Sequence, residues 1–107
     1  FLITGIAKTH QSQLIMAPGG TTRYLANDFK TKLLRDFETE ARPQQSLGDF
    51  IADKNVDLVV IESVFLNEVQ QAGTLEPYQK FLKQYAQIGF RQIKVDIPDT
   101  FVFIKEK

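Results

Sequence analysis

Apolar positions along this chain follow two periods, and together they predict an alternation of strands and helices. Leu58-Val59-Val60-Ile61 is an unbroken aliphatic run, led in by Val56-Asp57 and ended by Glu62-Ser63. A run apolar on both sides suits a strand covered on both faces, so it is read as the central strand of a sheet. Leu14-Ile15-Met16-Ala17 is a second, shorter run, stopped by Pro18-Gly19-Gly20 as a buried strand is stopped by a tight turn. Leu47, Phe50 and Ile51 stand at helical spacing behind Ser46, whose hydroxyl can cap the turn containing Asp49. Tyr78, Phe81, Leu82, Tyr85 and Ala86 make the clearest helical stripe, with Pro77 in the first turn and Gly89 past the end. Helices are therefore expected over 47–54 and 77–88. Asn55, just past the first of them, tolerates the left-handed conformation of a helix end.

Beyond Gly89 the period changes to two. Ile93, Val95 and Ile97 alternate with Gln92, Lys94 and Asp96; Pro98-Asp99 turns the chain, and Phe101 to Ile104 forms a last strand closed by Lys105-Glu106-Lys107. Strands over 90–97 and 101–105 joined by a tight turn must be antiparallel. Three stretches are less regular. Residues 1–10 suit a helix or a short strand. Thr21-Thr22 can cap a helix running to about Phe29, followed by a second helix or a strand before Arg42-Pro43. The stretch after Glu62 reads as a crossing through Phe65-Leu66 and a polar loop containing Gly73. The expected fold is α/β: a three-layer Rossmann-like sheet with a parallel core, strands 14–17 and 58–61 adjacent, and a C-terminal antiparallel strand pair.

Length and composition narrow this without redirecting it. At 107 residues the chain suffices for one domain, 1–107, and not for two. Thirteen basic and thirteen acidic residues balance, which disfavours a nucleic-acid partner. The absence of cysteine removes disulfides, thiolate catalysis and Cys-based metal sites. No apolar run approaches the roughly 20 residues of a membrane span. The chain opens on Phe1 rather than Met, and is read as a domain excised from a longer chain or a processed form.

One stretch has a context suited to binding. Pro18-Gly19-Gly20-Thr21-Thr22-Arg23 follows a strand and opens a helix, combining exposed amides, hydroxyls and a cation as an anion site would. It matches neither common nucleotide-binding glycine pattern, and a plain turn with a cap explains the same residues. Glu62 and Ser63 end the central strand, where open α/β sheets hold ligands, whereas Asp57 belongs to the other end. The candidate ligand site is thus Gly19, Gly20, Thr21, Thr22, Arg23, Glu62 and Ser63, for a phosphorylated or sugar ligand. His10 is the single histidine, without a nucleophile elbow or zinc-ligand spacing around it. No catalytic residue, metal ligand or cofactor is assigned.

The second half carries a resemblance. A short helix, Asn-Val-Asp-Leu-Val-Val-Ile, a polar loop, a helix ending Tyr-Ala-Gln-Ile-Gly-Phe and a terminal Phe-Val-Phe-Ile-Lys-Glu-Lys follow one another over Ser46 to Lys107. This resembles the soluble C-terminal domain of polytopic membrane glycosyltransferases of the dolichyl-phosphate-mannose-protein mannosyltransferase type. In that family the catalytic carboxylate lies between membrane helices, so the resemblance carries no catalytic residue onto this chain. It implies a noncatalytic accessory domain outside the cytoplasm. Its partners would be the membrane-embedded part of the parent chain and a sugar or lipid-phosphate ligand. The alternative is a free-standing, cytoplasmic α/β module binding its ligand at the Gly19-Gly20 turn.

Overall fold

The computed structural model describes residues 2–106; the expectations that reach Phe1 and Lys107 lie outside the described residues. The first ambiguous stretch is a helix, α1 (Leu2–Thr9), because Ile3 and Ala7 sit one turn apart and both are buried. It is followed by β1 (Leu14–Ala17), α2 (Gly19–Leu25) and β2 (Lys30–Leu33). The stretch that suited either a helix or a strand holds one of each, β2 and then α3 (Asp36–Glu40). Lys32 of β2 reaches both carboxylate oxygens of Glu40, at 2.8 and 3.0 Å, and ties this edge strand to the end of α3. Next come α4 (Leu47–Asp53), β3 (Leu58–Glu62), α5 (Ser63–Gln71), α6 (Glu76–Gln84) with a 3-10 turn (Tyr85–Ile88), β4 (Phe90–Ile93) and β5 (Thr100–Lys105).

The five strands form one mixed sheet in the order β2-β1-β3-β5-β4. β1 runs parallel to both β2 and β3; β5 runs antiparallel to β3 and to β4. The expected parallel neighbours and terminal antiparallel pair are therefore present, and the last strand in sequence lies between the central strand and the edge. Alternate residues of the sheet feed two cores. Met16, Val59, Ile61 and Phe103 face the side covered by α3 to α6. Ile15, Leu58, Val60, Val102 and Ile104 face Ile3 and Ala7 of α1 and Leu25 of α2. Leu58 to Ile61 are each 0% exposed, so the central strand is covered on both faces, as its composition required. Each such aliphatic contributes roughly 1.5–3 kcal/mol by leaving water.

Local signals explain the boundaries. Ser46 Oγ accepts from the Asp49 amide at 3.1 Å, the expected cap of α4. Asn55 takes φ 58° and Gly89 φ 85°, both in the left-handed region where their helices stop. Asp57, at the amino end of β3, accepts from the amides of Gln13 and Leu14 at 2.7 and 3.3 Å and so fastens the start of β1.

Four expectations are corrected. The polar crossing after Glu62 is the helix α5, with Phe65 and Val69 buried one turn apart; a stripe this narrow, diluted by Asn67, Gln70 and Gln71, hides its period. Thr21 and Thr22 do not cap α2, which starts earlier, at Gly19 behind Pro18, and ends at Leu25 rather than near Phe29. Pro18 is already extended and its carbonyl receives the Thr21 and Thr22 amides, so the threonines fall inside the helix. The α-helix of the Tyr78 stripe stops at Gln84 and tightens into 3-10 geometry to Ile88. The strand expected to reach 97 leaves the ladder after Ile93, which pairs with Val102. Val95 and Ile97 still pack against the same core as Ile93 without strand pairing, and the expected turn at Pro98-Asp99 leads into β5.

Candidate functional site

β1 and β3 lie side by side and parallel, yet the chain leaves their carboxyl ends toward opposite faces. From Ala17 it passes through Pro18 into α2, whose Leu25 joins the α1 side. From Glu62 it passes directly into α5, whose Phe65 and Val69 join the other side. Divergence at neighbouring strand ends opens a crevice between them, the usual ligand position in open α/β sheets.

Glu62 stands in this crevice. Its carboxylate accepts a hydrogen bond from the Thr21 hydroxyl, and Thr21 is only 5% exposed. Thr21 comes from the first turn of α2 and Glu62 from the end of β3, so the bond spans the divergence. A cavity opens on each side of it. One, of about 340 Å³, is lined among others by Gly19, Gly20, Glu62, Phe65, Arg35 and Glu68. The other, of about 290 Å³, includes Thr21, Glu62, Tyr24, Ile97 and Thr100. Half-buried Glu62 lines both.

Of the residues expected to form the site, Gly19, Gly20, Thr21 and Glu62 come together. The other three line neither cavity. Thr22 is 9% exposed, and its hydroxyl donates back to the Gly19 carbonyl at 2.8 Å, so it shapes the turn. Arg23 lies on the exposed surface of α2. Ser63 is joined through its amide to the Asp99 carbonyl at 2.9 Å, which ties the start of α5 to the β4–β5 connection.

The cation at the cavity wall is Arg35, which sequence reasoning passed over. Its Nε and Nη2 donate to the two oxygens of Glu38 at 2.9 and 3.1 Å. Tyr78, fully buried on α6, donates its hydroxyl to the same Glu38 at 2.7 Å. Burial pushes the Glu38 carboxyl up, but the bonds from Arg35, Tyr78 and Thr74 outweigh this and hold it below the ordinary carboxylate range. Burial, reinforced by Glu38, raises the Tyr78 phenol, which stays protonated and donating. The Arg35–Glu38 spacing of three residues is a helix-type pair visible in the sequence; Tyr78, forty positions further on, is not.

A larger, open groove of about 900 Å³ lies at the opposite end of the sheet, beside His10, Asp57 and Arg91. There Asp57 already spends its oxygens on two backbone amides, and no strand divergence frames the groove. The β1–β3 crevice is the better candidate despite its smaller size, because topology and a half-buried carboxylate coincide in it. Among the described residues no group of three or more His, Asp or Glu gathers to hold a metal ion, and no helix is long and apolar enough to cross a membrane. Chemically, the cavity of about 340 Å³ is lined by the carboxylates of Glu62 and Glu68 and by the Arg35 guanidinium, and His10 lies at the other end of the sheet. No protein-family model, no curated protein and no solved structure matches this chain.

Proposed function

We propose that this chain is a noncatalytic α/β module that holds a sugar or phosphorylated-sugar ligand in the crevice between the carboxyl ends of β1 and β3. The observation that carries this is the Glu62 carboxylate, oriented by the Thr21 hydroxyl and lining a cavity on either side. A fixed carboxylate accepts from vicinal hydroxyls, and the small Gly19-Gly20 turn leaves room for a ring. The noncatalytic assignment rests on the site's chemistry: Glu62 is bonded to a threonine hydroxyl, and no histidine lines either cavity. The finer fold description, a Rossmann-like sheet, belongs to the same reading and draws on the divergence of α2 and α5.

The setting we propose is an accessory domain of a membrane glycosyltransferase that uses a lipid-linked sugar, tethered outside the cytoplasm. Its support is the order of elements from Ser46 onward together with a sugar-compatible crevice. The sequence preceding Phe1 in the intact protein tests the setting: several apolar spans are expected, and a soluble catalytic domain there would overturn it. Amide NMR titration with methyl glucoside, glucose phosphate and a short-chain lipid phosphate tests the site. Shifts are expected around residues 19–21, 35 and 62, lost in Glu62→Gln. Titrations that leave these amides unmoved would remove the crevice as a site.

A further inference from the structure

We infer that Glu38 sets the charge class of the ligand: by clasping Arg35, it makes the crevice select a neutral hydroxylated ligand over its phosphate ester. This rests on the reading of the β1–β3 crevice as the ligand site.

Arg35 is the cation lining the cavity of about 340 Å³. A guanidinium has five N–H donors, and two of Arg35's are committed to Glu38 in a bidentate pair at 2.9 and 3.1 Å. The remaining donors stay available for a ligand oxygen. The charge does not stay available in the same way. Glu38 cancels most of it at contact distance, and Glu68, on the same cavity wall, lies within electrostatic reach of the same guanidinium. Glu62 adds another carboxylate. A phosphate entering the cavity would meet a guanidinium already paired with Glu38 and the carboxylates of Glu62 and Glu68, whereas a hydroxyl would meet a directed donor at Arg35 and an acceptor at Glu62 without that repulsion.

The clasp is held from behind. The buried Tyr78 hydroxyl donates to Glu38 at 2.7 Å, and the Glu38 side chain is only 19% exposed. Glu38 therefore cannot swing away to release Arg35 without abandoning a donor in the core. Glu38 does not line the cavity, so it is a positioning residue that acts through Arg35.

The experiment compares methyl glucoside and glucose phosphate by amide NMR titration of the whole chain. The glucoside is expected to bind about tenfold more tightly than the phosphate, the scale of one unfavourable charge contact in a half-wet site. Glu38→Gln uncovers the charge on Arg35 and should bring the phosphate level with the glucoside or ahead of it. A merely structural role would weaken both ligands alike. Glu68→Gln, at an exposed position, should shift the ratio in the same direction by less, and guards against loss of folding in Glu38→Gln. Tighter binding of the phosphate by the wild-type chain, or a ratio unmoved by both variants, would overturn the inference while leaving the crevice as a sugar site. Absence of shifts from either ligand would instead overturn the site and the inference together.

Discussion

Glu38 shows how one side chain joins the core to the crevice. It receives Tyr78 from the buried side and Arg35 from the wet side. Its carboxyl lies below its ordinary value: burial works against this, but the Arg35, Tyr78 and Thr74 bonds prevail. A depressed carboxyl contributes stability above its unfolded pKa and loses that contribution as the pH falls through the lower, folded value. Glu38→Gln should therefore cost stability at neutral pH, and its deficit against the wild type should shrink below about pH 4, the unfolded carboxylate range. Denaturant midpoints of both proteins at the two pH values check this; an equal deficit at both would mean that the ionised form of Glu38 is not what matters. Thr21 is the second joining residue, since it places Glu62 from across the strand divergence.

Among the elements, α6 has the plainest division of labour. Phe81 is 3% exposed and stands edge-on to Phe103 at 5.2 Å and to Phe90 at 6.1 Å, so it joins the helix to β5 and β4. Lys83, two positions on, is solvent-exposed. Phe81→Ala should destabilise the protein by about 3–5 kcal/mol, the range for a buried phenylalanine replaced by alanine, while Lys83→Ala should change stability by under about 0.5 kcal/mol. Urea titration separates the two; equal effects would mean that the buried face of α6 is misassigned. Tyr78 belongs to the same stripe, and its ring meets Phe65 at 4.9 Å while its hydroxyl reaches Glu38. The stripe of α6 thus carries, besides its ring contacts in the core, a polar tip with a separate task.

For the whole molecule, the position of β5 matters most. It is the last strand in sequence, yet it pairs with β3 on one side and β4 on the other, and Val102, Phe103 and Ile104 enter both cores. Removing the residues from Thr100 onward should therefore abolish cooperative folding rather than trim an edge. The expected result is loss of amide dispersion in NMR and of a sigmoidal thermal transition. A truncated chain that kept both would show that the β1–β3 core stands without β5.

The sequence by itself determined β1, β3, α4, the main run of α6 and the antiparallel relation of the last two strands. Each is written in short-range terms: an apolar run, a stripe, a capping serine, a glycine past a helix end. It also determined that Asp57 and Glu62 lie at opposite ends of the sheet, because the aliphatic run from Leu58 to Ile61 of β3 separates them. Only the tertiary structure decided the rest. β2 and α3 share a stretch whose propensities suit either state, and α5 carries too narrow a stripe to show its period, so packing assigned both. Strand order is a matter of pairing between distant segments, and no local pattern inserts β5 between β3 and β4. The cation of the crevice is likewise Arg35 rather than Arg23. Arg23 follows the Gly19-Gly20 turn in sequence but sits on the exposed surface of α2, while Arg35 comes to the cavity because β2 pairs beside β1 and Tyr78 anchors its partner across forty residues. Spacing along a chain reports which residues are neighbours on one element; which elements face each other across a crevice is set by the packing of the whole sheet.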